Sequence, residues 1–404
     1  MKSSLLIAII LLLLALFFAT VLILRILRGN VTHEYRELYS RLKASLDDYE
    51  KHLDSKNVNE AHRIIFGAEL LPANANRGPD LLNPGSIEGV KTYLDRLKEL
   101  GVQGVTIAIS YPLYLQGFDR YQEYVEFYRQ VAEEVRVRGM KLDVEAGVVF
   151  SGTPFSKLRL NYSGLTFEEY KGKKRLMIIN IIRDIQPDYL TIGAEPDTEY
   201  TLLGLSELKN PEKYTQLVNY VLNGLEKGDT KIGAGIGNWG DLEYVRRFCS
   251  ETSLDFIVIH VYPVFGKLLY NIDTISEIAR QHGKRIMVNE AWLYKVDRPV
   301  PNIAATAEVF RLDAFSFWAP LDQQFLAVLV KSARVNGIEY VSPFWSTYFF
   351  AYVDYNWNTA RLSYGELSEM VNREAVKNIM AGKLSSTGEF YRELIKSQEQ
   401  DTAG

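Results

Sequence analysis

The chain has one cysteine, Cys249, in 404 residues. It therefore has no intramolecular disulfide and no thiolate metal cluster. Histidine is nearly as scarce, with five residues. None of them falls in a His/Asp/Glu grouping with metal-site spacing, which argues against a metal-dependent hydrolase. No long basic run occurs and the formal net charge is −4, so nucleic acid is not an expected partner. A dinucleotide fingerprint is also missing. The glycine-rich turn "GAGIGN", Gly233 to Asn238, lacks the third glycine of G-x-G-x-x-G and falls in mid-chain.

Apolar residues, by contrast, are plentiful at 47%, enough for a large core. The strongest single feature is "LLIAIILLLLALFFATVLILRIL", Leu5 to Leu27, which meets no charge before Arg25. A bilayer core needs about 20 helical residues, and no small-residue cleavage pattern follows the run. The expected organisation is a single-pass transmembrane signal-anchor over 1–29 and a helical linker or barrel-packed helix over 30–62. A catalytic-size domain follows over 63–404. Arg25, Arg28, Arg36, Arg41 and Lys43 after the run outnumber Lys2 before it, which points the domain to the cytoplasm. Two N-x-S/T triplets, at Asn30 and Asn161, point outward.

Between Thr32 and His62 the apolar residues Leu38, Leu42, Leu46, Tyr49 and Leu53 recur at helical spacing. From Arg63 the pattern changes to alternation. Apolar β-runs end at Leu70, Ser110, Phe150, Glu195, Gly237, Pro263, Trp292 and Ser346, each followed by a helical segment. One of those segments reads as a long helical stretch from Ala304 to Asn336. Near-continuous apolar strands separated by helices imply a parallel sheet covered on both faces. Eight such units make a (β/α)8 TIM barrel, of class α/β. The competitor is an open doubly wound sheet, with "GAGIGN" as its local support.

A barrel of this type carries its active site at the C-terminal strand ends. Strand four runs into Glu195 ("GAEP") and strand seven into Glu290 ("VNEAW"). Strand six ends in His260 and Tyr262 ("IHVYP"), strand eight in Trp345 ("SPFWS"). Tyr111 follows strand two, Asn238 and Trp239 follow strand five, and Trp292 lies two beyond Glu290. Asp143, Glu145 and Glu69 also lie on strands and read as supporting or structural acids. Asp197 and Glu199 read as substrate contacts or a solvated loop.

These motifs resemble the large clan of retaining glycoside hydrolases on (β/α)8 barrels, which includes cellulase, β-mannanase and β-galactanase families. The resemblance covers about 63–382. It implies that Glu195 is the general acid/base and Glu290 the nucleophile of a double displacement on a β-linked glycan. His260, Tyr262 and Trp345 match further places in the clan, and Trp239, Trp292, Asn238 and Tyr111 are candidate carbohydrate contacts. No organic cofactor or metal is required. The expected partners are a carbohydrate substrate and, through the N-terminal helix, the cell membrane, with the catalytic domain outside the cell. Such chemistry needs two carboxyls about 5–5.5 Å apart, one protonated and one ionised. The charge of Glu290 and partial burial are expected to raise the pKa of Glu195.

One position departs from the clan. An Asn that contacts the sugar 2-hydroxyl usually precedes the acid/base, and here it is Ala194. Asn289 or Asn238 takes over that contact, or the substrate differs there, or the site has lost activity. The rival functions are a non-catalytic surface glycan-binding barrel and a transglycosylase remodelling envelope glycans.

Overall fold

The computed structural model describes residues 32–56, 62–300 and 307–401. The apolar run Leu5–Leu27 lies outside them. Among the described residues no helix is long and apolar enough to cross a membrane.

Eight parallel strands close into a barrel in chain order. They are β1 Ile65–Glu69, β2 Gly104–Ala108, β3 Lys141–Glu145, β4 Tyr189–Thr191, β5 Lys231–Gly237, β6 Phe256–Val261, β7 Arg285–Ala291 and β8 Tyr340–Pro343. Pairing of Ile65 with Tyr340 shuts the ring. Strands covered on both faces need apolar residues at every position, and β6 (FIVIHV) is buried throughout. The outer helices are α2 Ser86–Leu100, α3 Tyr121–Val137, α4 Phe167–Ile185, α6 Pro211–Leu222, α7 Leu242–Glu251, α8 Tyr270–Gln281, α10 Ala319–Asn336 and α11 Tyr364–Met380. Their starts carry sequence signals. Thr166 and Ser363 form complete capping boxes with Glu169 and Glu366, and Pro211 occupies the first turn of α6.

The barrel interior is layered. Tyr189, Phe256, Val258, Met287 and Tyr340 form a small apolar core of their own. Above it lies a polar layer. The Asn289 amide donates to Asp143 Oδ2 and Thr191 Oγ1, both at 3.1 Å, and Thr106 bonds Ser342 at 3.1 Å. The acids of the strand ends come above that layer. The sequence GAGIG is the body of β5, with no phosphate-binding turn. A Cβ on Gly235 would fall on the Val258 carbonyl, and one on Gly233 would enter the Phe256 ring. These glycines let β6 and its large side chains close against β5.

Three elements differ from expectation. The stretch after β7 is broken. A single turn, α9 Glu308–Arg311, is followed by two short 3-10 turns and then α10, while 301–306 lies outside the described residues. Phe315 is extended and bridges Val353, because Phe315, Phe317 and Trp318 pack as an aromatic group that a continuous helix would splay. Glu195 is followed by a short helix, α5 Pro196–Leu203. Last comes α12 Ser386–Asp401. It packs on the outside of the barrel against α10 and α2, where Tyr391 donates to the Gly67 carbonyl at 2.9 Å and Gln398 bonds both backbone groups of Ile64.

Helix α1, Arg36–Asp54, buries Leu42, Leu46, Tyr49 and Leu53. Its packing partners include α10. At its far end the Tyr49 hydroxyl bonds Asp273 and Ser332, both at 2.9 Å, and His52 Nε2 lies 2.8 Å from Asp273.

Replacing Gly235 with Ala should lower the denaturant midpoint, at a cost of about 1–3 kcal/mol for overpacking. Gly172→Ala, in α4 with nothing within 4 Å of the added methyl, should instead stabilise by about 0.5–1 kcal/mol. Equilibrium unfolding of the two variants side by side checks the contrast.

Candidate active site

At the C-terminal strand ends lies a cavity of about 670 Å³. Glu69, Glu145, Glu195, His260 and Glu290 all line it, each carried by a different strand or the turn after it. His260 is the hub and is 1% exposed. Its Nδ1 lies 2.8 Å from Glu195 Oε1 and 3.1 Å from Glu290 Oε2. Its Nε2 lies 3.2 Å from Glu145 Oε1, an ion-pair distance without hydrogen-bond alignment. Burial alone would pull the imidazole pKa down. The carboxylates of Glu145 and Glu290, with the hydrogen bond to Glu195, outweigh it and raise the ring well above its ordinary pKa.

Glu195 is reached from β4 through Ile192, Gly193 and Ala194, and Pro196 then starts α5. Its second oxygen accepts the Thr198 hydroxyl at 2.5 Å. Glu290 Oε1 accepts the Tyr262 hydroxyl at 2.5 Å. Burial is the largest influence on Glu290 and drives its carboxyl well above the usual range, with Glu145 and Glu195 adding to the push. The His260 cation and the Tyr262 bond oppose it. Glu69 is also pushed well up, by burial first and then by Glu290, although the Asn74 amide donates to its Oε1 at 3.0 Å. Below, burial and then Glu145 push Asp143 up to about 8. Burial thus favours the protonated forms of Glu69, Glu290 and Asp143.

The other sequence-derived residues divide. Tyr262, Trp239 and Trp345 line the cavity. Tyr262 stacks on Tyr294 with ring centroids 4.3 Å apart. Trp239 donates its indole N–H to Asp197 Oδ2 at 2.9 Å, and Trp345 stands edge-on to Phe344 at 4.8 Å. Trp292, Asn238 and Tyr111 are corrected as contacts, for none of them lines the cavity. Trp292 is fully buried behind it, stacked on Tyr348. Asn238 spends its amide on the Pro263 and Leu268 carbonyls and accepts the Tyr262 backbone N–H. It shapes the turn that aims Tyr262. Tyr111, at a cis bond to Pro112, is packed edge-on against Tyr170. Neither Asn289 nor Asn238 brings an amide to the cavity, while Ala194 does line it. Glu199 is no solvated loop residue. It is 4% exposed and bonds Lys174 and Tyr170, both at 3.1 Å.

Sequence reasoning gave too little weight to Glu69 and Glu145 and passed over Asn74, Thr198, Tyr294 and Phe344. The first two end β1 and β3 by the same strand-end rule that singled out Glu195. Tyr294 and Phe344 carry no local signal. Among the described residues, Glu145, His260 and Glu290 bring ligand-type atoms within 4.8 Å of one another. In this structure the three are arranged as ion pairs centred on His260.

No family profile matches the chain, and no curated protein matches it in sequence. Several solved structures share its fold. A GH5_18 protein from Bifidobacterium longum subsp. longum, in complex with Manβ1-4GlcNAc, is 12% identical with a TM-score of 0.53, covering 83% of this chain and 78% of that one. A GH5_18 protein from Streptomyces cattleya with the same ligand is 13% identical with a TM-score of 0.52, over 83% and 80%. A family 1 β-glucosidase from Thermotoga maritima is 11% identical with a TM-score of 0.50, over 85% and 99%. At these identities the likeness establishes the closed (β/α)8 barrel.

Asp143 is neutral in the fold and would ionise freely when unfolded. Its raised pKa contributes stability that is present below the ordinary Asp range and lost as pH rises through about 8. Asp143→Asn, which mimics the neutral form, should therefore raise Tm at pH 9 more than at pH 5. Thermal unfolding at the two pH values measures the difference.

Proposed function

We propose that the chain is a membrane-anchored retaining glycoside hydrolase acting on a β-linked glycan by double displacement. One observation carries this reading: Glu195 and Glu290 share one cavity and are bridged by a single nitrogen. With His260 Nδ1 at 2.8 Å and 3.1 Å from their oxygens, those oxygens can lie no more than about 6 Å apart, close to the ~5–5.5 Å of retaining pairs and below the ~6.5–9.5 Å range of inverting ones. The cavity volume suits one or two sugar rings, and Trp345, Trp239 and Tyr294 supply aromatic faces for sugar C–H groups. The three solved barrels named above, one a β-glucosidase and two with a bound disaccharide, support the reaction class.

In the reaction the Glu290 carboxylate attacks the anomeric carbon as the leaving oxygen takes the proton of Glu195. The C–O bond breaks and a glycosyl ester forms on Glu290. Glu195 then deprotonates a water, which displaces the ester. Burial raises the pKa of Glu290, whereas the reaction needs that carboxyl ionised and Glu195 protonated. His260 Nδ1 reaches both carboxyls: it can release its proton to Glu195 and take up that of Glu290, with its charge unchanged. Tyr262 and the imidazolium then stabilise the ionised nucleophile.

Anchoring rests on the run Leu5–Leu27. Placement outside the cell follows from a glycan substrate, and the sequon residue Asn161 is exposed. A glycan-binding barrel without catalysis draws on Ala194, and the following test separates the two.

Glu290→Gln should fold normally, by circular dichroism, and lose turnover on an aryl β-glycoside panel by on the order of 10⁴-fold. Wild-type binding without any turnover would sink the hydrolase. The pH profile gives a second check. The nucleophile must be ionised, so kcat/KM should fall as pH drops through the raised Glu290 pKa, at a pH above the ordinary carboxylate range. His260→Gln removes the cation that holds that pKa down, so the acidic limb should move to still higher pH.

A further inference from the structure

We propose that the cavity-bearing face of the barrel lies on the bilayer that holds Leu5–Leu27, with Trp357 and Arg361 seated among the phospholipid headgroups. This rests on the anchor described above and adds the orientation of the domain upon it.

The argument begins with where the chain enters the fold. Helix α1 runs along α10 from its cavity end toward the opposite face. At the cavity end Tyr35 stacks on Phe317 at 5.8 Å and Tyr39 on Trp318 at 5.5 Å. At the far end Asp54 pairs with Lys331, and Lys56 lies 2.8 Å from Asp273. Just before α1, the Glu34 carboxylate accepts the Tyr355 hydroxyl at 2.6 Å. Tyr355 belongs to the long connection after β8, on the cavity side of the barrel. Arg311, a cavity-lining residue, acts on the Tyr35 phenol. Thr32 therefore enters beside the cavity wall.

Chain length turns this into a distance. Leu27 and Thr32 are five residues apart, a reach of at most about 17 Å. The opposite face lies one α10 length farther, about 27 Å for its 18 residues. The tether holds the cavity rim near the headgroups and leaves the far face away from them.

The rim itself is suited to that position. Trp357 is 73% exposed, the most exposed of the large hydrophobic residues described. The Arg361 guanidinium lies 3.4 Å from its ring centroid. Both sit in the connection that Tyr355 ties to Glu34. Tryptophan settles at headgroup depth because its ring is apolar and its N–H polar. A guanidinium pairs with lipid phosphate through its fork of N–H donors. In water the exposed ring gains nothing beyond its contact with Arg361. A cavity held this way takes its glycoside from the membrane surface.

The full chain reconstituted into phosphatidylcholine/phosphatidylglycerol vesicles, with a nitroxide on a fraction of the headgroups, tests the orientation. A dye is attached at Asn358→Cys, beside Trp357, or at Asp229→Cys, an exposed residue before β5 on the opposite face. Cys249 is buried. Flotation reports the anchor separately. The expected result is flotation of both proteins, loss of emission at 358 and retained emission at 229. In a Trp357→Ala background the loss at 358 should shrink while flotation persists; an unchanged loss would overturn the role given to Trp357. Flotation with equal emission at both positions, or stronger loss at 229, would overturn the orientation and leave the anchor standing. Failure to float would overturn both, and activity on a soluble aryl glycoside would show whether the hydrolase reading survives.

Discussion

The rest of the site depends on one buried imidazolium. Four glutamates converge on the mouth of the barrel, and mutual repulsion with loss of hydration would force protons onto most of them. His260, paired with Glu290 near the C-terminal ends of β6 and β7, supplies the compensating charge. It touches Glu145, Glu195 and Glu290 at once. The ring can hold that place because β6 is buried on every side and its neighbour Tyr262 is pinned by Asn238 and Tyr294. The geometry of the candidate pair is therefore held by one side chain, which touches both of its members.

Much of this could be read along the chain, for identifiable reasons. The (β/α)8 pattern shows because parallel strands buried on both faces are apolar at every position and the helices between them carry caps and glycine stops. Helix α2 runs from Ser86 to Leu100, the bounds its periodicity suggests, and Gly101 adopts the left-handed conformation that ends it. Glu195 and Glu290 stand out because an acid at the end of an apolar strand is a local anomaly. What failed was whatever depends on side-chain direction. Trp292 and Asn238 adjoin the right strand ends but face away from the cavity. A two-residue offset along a strand does not reveal which way the chain turns after it. The broken helix after β7 was hidden for a related reason. Phe315, Phe317 and Trp318 favour helix or strand about equally, and only their packing on Tyr35 and Tyr355 decides.

The first helix, α1, shows how the outer shell serves the site without touching it. Its apolar stripe fills a groove beside α10, and Tyr49 and His52 close a polar cluster around Asp273. Burial and then bonds from Lys56, Asn336, Tyr49 and His52 act on that aspartate, with the bonds prevailing to hold its carboxyl below the usual range. The helix is thereby fixed end to end. Whatever precedes Thr32 is delivered to a defined point on the cavity rim, so packing on the outside of the barrel determines which surroundings the mouth can meet.

The chain contains other buried ions, and the contrast with them bears on function. Lys295 is fully buried. Its ammonium meets Asp322 at 2.5 Å, Asp313 at 2.9 Å and the Leu293 carbonyl at 2.9 Å. Lys174 is matched in the same way by Glu199, Tyr170 and the Ala146 carbonyl. Each group ties the turn after a strand to a helix, and each cation finds its hydrogen-bond partners. The His260 group does not balance in that sense. It leaves Nε2 without an aligned partner and opens onto a cavity. Ion pairs taken out of water are commonly less stabilising than apolar residues of similar size. A barrel required only to fold would gain by replacing Glu145, His260 and Glu290 with such residues, like Val258, Met287 and Tyr340 deeper in the barrel. The acids around His260 line the cavity where a substrate can enter, as expected for a cost retained for chemistry.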